Sequence, residues 1–272
     1  MLSIAVMAGV LFAATAEADE TRTNGRLFGI MYHQVLKDPS YHNDYCVSPD
    51  ELESDLKYFS ENGFTALLPS EAEQLMESGE ELPDKAVMIT FDDGYETMLE
   101  YVLPLLEKYE MKAVVNIVGD FTDEYTELPD NKKNLSFSYL TWAEVKRLND
   151  SGLVEIGNHT YSLHSNSGGR QGSARKYGED EDSYRELVYG DVQRLQLKLS
   201  QLIGKRPTAF AYPFGMISDG EPEIIASAGF KVTMTCRELP TEFDSLPLTV
   251  NRYNRAHGRS AQSLYELYLS QL

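Results

Sequence analysis

The chain has 272 residues, 42% hydrophobic and 25% charged, with 43 acidic against 24 basic side chains and a net charge of −19. That length can bury a full core, as one barrel-sized domain or two small ones. The acidic balance excludes a nucleic-acid binder, whose phosphates need a basic footprint, and disfavours an anionic membrane surface; a neutral or cationic partner approaches more easily.

The N-terminus opens with an apolar run, Leu2 to Ala14. Ala14-Thr15-Ala16 and Ala16-Glu17-Ala18 both fit the small-x-small cleavage rule, so residues 1–18 read as a signal peptide with a shortened basic start. A buried N-terminal helix is the alternative. No later stretch reaches the roughly 20 apolar residues of a membrane span. These features suggest a secreted or cell-envelope protein whose folded domain runs over 26–272. Cys46 and Cys236 are the two cysteines, too few for a disulfide scaffold, and spacing leaves their pairing open.

Beyond the leader, strands and helices alternate. Leu27 to Met31 is an apolar strand. Ser48-Pro49-Asp50-Glu51 opens a helix, with Ser48 as N-cap, Pro49 at the first helical position and Glu51 closing a capping box; Gly63 ends it. Phe64 to Leu68 is a strand, and Ser70 with Glu73 caps the next helix. Ala86 to Phe91 reads as a strand, Glu96 to Tyr109 as a helix, and Lys112 to Val118 as a strand. A polar connection covers Thr122 to Asn134, and Thr141 to Glu144 is another capping box. A strand over Leu153 to Asn158 leads to a Gly/Ser-rich surface loop, Ser165 to Glu179. The longest helical pattern runs from Ser183 to Ile203. Strand Thr208–Tyr212, helix Glu221–Ala228, strand Phe230–Cys236 and a short strand over Leu248–Arg252 complete the chain.

Seven or eight strand–helix repeats imply parallel units and a closed or nearly closed α/β barrel in a single domain. In such barrels chemistry collects at the C-terminal strand ends. Asp92, Asp93, His159, Tyr212, Arg252 and His33 are all expected there. Asp92-Asp93-Gly94 on its own is also what an ordinary solvated turn selects. The two imidazoles of His159 and His164, five residues apart after a strand, shift that balance. Two His and one Asp make a ligand set for a zinc-like ion with a coordination position left open, and the second Asp is left over as a base.

Thr90-Phe91-Asp92-Asp93-Gly94 and His159-Thr160-Tyr161-Ser162-Leu163-His164 resemble the first two motifs of the polysaccharide deacetylases, family 4 of the carbohydrate esterases, also called the NodB homology domain. Phe210 to Gly215 resembles the third motif, and the likeness spans about Leu27 to Arg255. The resemblance implies a distorted (β/α)7-type barrel and a divalent metal, most often Zn2+, held by Asp93, His159 and His164. By the same resemblance Asp92 is the general base, and Tyr212, Pro213 and Phe214 form the oxyanion and substrate-binding turn, through the Phe214 N–H. The implied reaction removes N-acetyl groups from amino sugars of a cell-wall or extracellular polysaccharide, with no protein partner.

The chain departs from the family pattern at two places. The arginine that orients the base is replaced by Ala211, and Arg252 is the candidate substitute. The late Leu-x-His motif that supplies the acid is replaced by Asn251 to Arg255. In a subgroup resembling the poly-N-acetylglucosamine deacetylases the acid lies near the N-terminus, which His33 of Met31-Tyr32-His33 fits; His257 is the rival. The departures leave two alternatives, a non-catalytic glycan-binding protein or a deacylase of another small amide or ester. Tyr95, Tyr139, Trp142 and Tyr161 are candidates for stacking on sugar rings.

Overall fold

The computed structural model describes residues 25–272, so the expected leader lies outside the described residues. Eight strands form the barrel: β1 (Arg26–Tyr32), β2 (Ala86–Phe91), β3 (Ala113–Ile117), β4 (Val154–Asn158), β5 (Ala209–Ala211), β6 (Val232–Met234), β7 (Leu248–Val250) and β8 (Arg252–Asn254). They pair in parallel in the order β1–β2–β3–β4–β5–β6–β7. The last two strands are one extended segment interrupted at Asn251. Its first half pairs with β6 and its second half with β1, so this segment brings the sheet back to its start. The loosest seam is β4–β5, joined by the single register pair Phe210 and Asn158.

The strands are short and continuously apolar, the pattern of strands covered on both faces. All six residues of β2 are buried. Eight helices surround them: α1 (Pro49–Glu61), α2 (Pro69–Ser78), α3 (Leu103–Tyr109), α4 (Gly119–Glu127), α5 (Trp142–Asp150), α6 (Glu181–Ile203), α7 (Glu221–Ser227) and α8 (Ala261–Leu269). Leu52, Leu56 and Phe59 on one face of α1 meet β1, where Phe28 packs against Phe59, Tyr253, Tyr265 and Tyr268. Among the described residues no helix is long and apolar enough to cross a membrane.

Several expected boundaries move for local reasons. The expected helix from Glu96 begins instead as a π-turn, Met98–Val102, just ahead of Pro104, which has no N–H to donate. Helix α2 is capped by Leu68, whose N–H donates to the Glu71 carboxylate; Ser70 Oγ donates to Glu155 instead. The polar stretch from Thr122 is helical as far as Glu127, because Phe121 and Tyr125, one turn apart, both pack on Tyr139. The surface loop carries a small hairpin, Asn166–Ser167 against Arg170–Gln171. Cys46 and Cys236 are both free thiols.

Closure at β1 depends on a glycine. A Cβ on Gly29 would stand 2.4 Å from the Asn251 carbonyl oxygen and 2.9 Å from Val250 Cγ1. Gly29→Ala is therefore expected to force the interrupted segment off β1 and to lower stability by about 1–3 kcal/mol, read as a reduced melting temperature.

Candidate active site

The site is assembled at the C-terminal ends of β1, β2 and β4 and at the interruption of the last strand. The Asp92 N–H still follows the sheet pairing, donating to the Tyr32 carbonyl at 3.0 Å. The next two residues turn sharply: Asp93 and Gly94 both have left-handed φ, 72° and 75°. That turn lets neighbouring carboxylates face one cavity instead of opposite faces of a strand. After β4 the chain does the same at Thr160, φ 73°, whose N–H donates to the Asn158 side chain. Phe214, φ 58°, is the third such residue beside the site. Strained non-glycine backbone of this kind costs about 1–3 kcal/mol and collects at functional sites.

Asp92 is almost fully enclosed, at 2% exposure, and Arg252 is completely so. Arg252 Nη1 and Nη2 donate to the two oxygens of Asp92, each at 2.7 Å. Asn116 Nδ2 donates to Asp92 Oδ1, also at 2.7 Å. Arg252 is braced in turn by the Thr235 carbonyl and Thr90 Oγ1. Burial alone would raise the Asp92 carboxyl, but the Arg252 charge, with help from His159 and His33, holds it well below the usual carboxylate range. The group is a charged acceptor with both oxygens fixed.

Asp93 has the opposite character. Its Oδ1 is buried and makes no hydrogen bond, yet it lies 3.2 Å from His164 Nε2 and 3.6 Å from His159 Nε2. Ligand atoms about 2.0–2.1 Å from a tetrahedral zinc stand about 3.3 Å apart, so three donors already occupy the corners that a cation would draw together. His159 Nδ1 donates to the Ala211 carbonyl at 2.8 Å, which leaves Nε2 with its lone pair. Burial brings the His159 imidazole down to about 4, so it is neutral at physiological pH, as a ligand must be. The donor set of one carboxylate and two imidazoles therefore fits a divalent ion such as zinc. Behind it, Asp191 on α6 accepts the N–H groups of Tyr161 and Ser162 and holds the loop that carries His164.

The cavity over these groups has a volume of about 570 Å³ and also takes in His33, Tyr45, Phe214 and Cys236. The Nδ1 of His33 is buried and unpartnered. His257 is half-exposed and bonded to Glu51 and is not part of the cavity wall. Arg252 sits at the start of β8, just past the interruption, and not at a strand end. Tyr212 and Pro213 carry the turn, but the Tyr212 ring points outward into a cluster with Tyr184, Phe210 and Phe230. Only Phe214 of that motif reaches the cavity, its ring against His164 at 4.6 Å.

Three of the four aromatic candidates for sugar stacking are taken up elsewhere. Tyr139 stacks on Tyr95, Trp142 donates to Asp123, and Tyr161 is covered by Arg194. Of the four, Tyr95 alone lines the cavity.

Asn116 is the site residue that sequence reasoning missed. Its one signal is an amide in the middle of an apolar strand, Val114-Val115-Asn116-Ile117, beside a glycine on the next strand. A Cβ on Gly157 would stand 2.0 Å from Asn116 Oδ1. Gly157→Ala is expected to push the amide off Asp92 and destabilise the fold by about 1–3 kcal/mol. In an Asn116→Ala background most of that penalty should vanish, a coupling that a double-mutant cycle of denaturation midpoints reads directly.

A family model described as polysaccharide deacetylase matches residues 79–233. The chain is 24% identical over 270 residues to the poly-beta-1,6-N-acetyl-D-glucosamine N-deacetylase of Escherichia coli K12, a match covering 91% of this chain and 40% of that protein. It is 27% identical over 195 residues to the protein of the same name from Staphylococcus aureus N315, covering 72% of this chain and 62% of that one. The chain thus spans less than two thirds of the length of these relatives. Among solved structures, a de-N-acetylase from Aggregatibacter actinomycetemcomitans superposes with a TM-score of 0.75 at 22% identity, covering 89% of this chain and 99% of that one. IcaB from Ammonifex degensii gives 0.66 at 25% identity, covering 89% and 95%. Both share the barrel.

Proposed function

The chain belongs to the polysaccharide deacetylase family, and from that premise we propose that it is a metal-dependent hydrolase removing N-acetyl groups from an amino-sugar polymer outside the cytoplasm. The observation that carries this reading is the contrast between two adjacent carboxylates. Asp92 accepts three hydrogen bonds from Arg252 and Asn116, whereas Asp93 Oδ1 is bare toward two imidazoles. One is built as a base and the other as a ligand.

Asp93, His159 and His164 would hold a divalent cation, most naturally Zn2+, which when bound polarises the acetyl carbonyl and the attacking water. Hydrolysis of an amide also requires a proton taken from water and a proton given to the leaving nitrogen. Asp92 is placed to take the first. With Oδ1 accepting from both Arg252 and Asn116, Oδ2 has the freer lone pair for this task. His33, which follows β1 on the strand next to that of Asp92 and lines the same cavity, would give the second. The Phe214 backbone N–H, in a left-handed turn at the cavity wall, would donate to the oxygen that becomes negative in the tetrahedral intermediate. Water and amide enter; acetate and a free amine leave.

The names carried by the bacterial relatives favour a poly-N-acetylglucosamine substrate. The net charge of −19 suits a polymer that gains positive amines as it is deacetylated. Extracytoplasmic action rests on the leader expected over residues 1–18.

The test is acetate release from poly-N-acetylglucosamine, chitin oligomers and peptidoglycan, with and without chelator. Release from the first substrate, its loss on chelation, and a fall of at least about 10²-fold for Asp92→Asn with metal content unchanged are the expected results. Full activity of Asp92→Asn would overturn the assignment of the base.

A further inference from the structure

The chain has five histidines. Three of them, His33, His159 and His164, line the catalytic cavity. The other two, His42 and His257, come from opposite ends of the chain and lie ring against ring, centroids 4.8 Å apart and planes 39° apart. The His159–His164 pair has the same 4.8 Å separation. Glu51 completes the second cluster. One ligand atom from each of His42, Glu51 and His257 lies within 4.8 Å of the others, a closeness matched among the described residues by Asp93, His159 and His164.

We propose that His42, Glu51 and His257 form a second transition-metal site, distinct from the catalytic cavity, that pins the 36–46 loop to the end of the barrel. The clusters share one feature, an imidazole fixed by a backbone carbonyl, and differ in the carboxylate, since Glu51 Oε2 also accepts from the Ser48 N–H at 2.9 Å. His42 Nε2 lies 2.9 Å from the Leu36 carbonyl, which can only accept, so Nε2 carries the proton and Nδ1 keeps its lone pair. His159 is fixed by the Ala211 carbonyl in the same manner, with the nitrogens exchanged. A backbone carbonyl on the far nitrogen is the support that ligating histidines ordinarily have.

Glu51 Oε2 stands 2.9 Å from His257 Nδ1, slightly inside the separation of about 3.3 Å that two ligands of one tetrahedral ion adopt. The other carboxylate oxygen accepts from the Gly258 N–H and, at 3.4 Å, from Arg255, whose charge is matched mainly by Asp55. Two imidazoles and one carboxylate suit Zn2+, Ni2+ or Cu2+; Mg2+ and Ca2+ prefer oxygen alone.

The site's position gives it a consequence. The loop that carries His42 already rests on the end of β8 through His257 N–H to the Asn43 carbonyl and Asn254 Nδ2 to the Asp44 carbonyl. The same loop presents Tyr45, 61% exposed, with its ring edge-on to His33 at 5.0 Å. An ion shared by His42, Glu51 and His257 would cross-link α1, the loop and the barrel end, and so fix the wall beside His33.

The experiment is titration of metal-free protein with Co2+, followed by its visible absorption and by equilibrium dialysis, together with melting temperatures. Wild type is expected to bind two equivalents. His42→Ala and His257→Ala should each bind one. His164→Ala should also keep one, and Co2+ should raise its melting temperature; that rise should disappear in His42→Ala/His164→Ala. Full wild-type stoichiometry in both His42→Ala and His257→Ala, or no binding at all in His164→Ala, would overturn the second site. Undiminished binding in His164→Ala would instead count against the catalytic ligands, so the two assignments fail separately.

Discussion

The buried pair of Arg252 and Asp92 is the constraint on which the rest of the site depends. Removing two such charges from water costs several kcal/mol per ion, recovered only when geometry is close to ideal and the remaining hydrogen-bonding positions are filled. Here both conditions hold: two parallel donations at 2.7 Å, with Asn116, Thr90 and the Thr235 carbonyl completing the shells. Arg252 reaches Asp92 because the final strand breaks at Asn251 and continues along β1, which in turn requires the bare backbone of Gly29. Barrel closure and orientation of the Asp92 carboxylate are one structural event.

Around that pair the backbone is bent where chemistry is needed. Asp93, Thr160 and Phe214 hold left-handed φ values on three different strand-end turns, each held by tertiary contacts and not by its own preference. The turns place a bare carboxylate, two imidazoles and a ring around one cavity, while the helices outside carry the hydrophobic load. The fold supplies rigidity and the turns supply direction.

Much of this was legible in the sequence, because the informative residues sit at strand ends flanked by apolar runs. Asp92-Asp93-Gly94 and the His159–His164 segment could be expected to meet without coordinates, and Arg252 to lie beside Asp92, with which it pairs. What was not legible depends on contacts between distant segments. Asn116 hides inside an apolar strand and is recognisable only opposite Gly157. Tyr139, Trp142 and Tyr161 look available in a linear reading but are consumed by Tyr95, Asp123 and Arg194. The stretch after Thr122 looks like a loop until Phe121 and Tyr125 are seen packing on Tyr139.

If Arg252 keeps Asp92 ionised and aimed, the pH dependence of kcat/KM for acetate release must differ between wild type and Arg252→Gln. The acid limb of that profile reports the base in the free enzyme. Burial raises the Asp92 carboxyl and Arg252 lowers it most, so removing the guanidinium leaves burial opposed only by His159 and His33. The acid limb is expected to move to higher pH in Arg252→Gln, with activity recovering in part as pH rises. Superimposable acid limbs would contradict that role of Arg252.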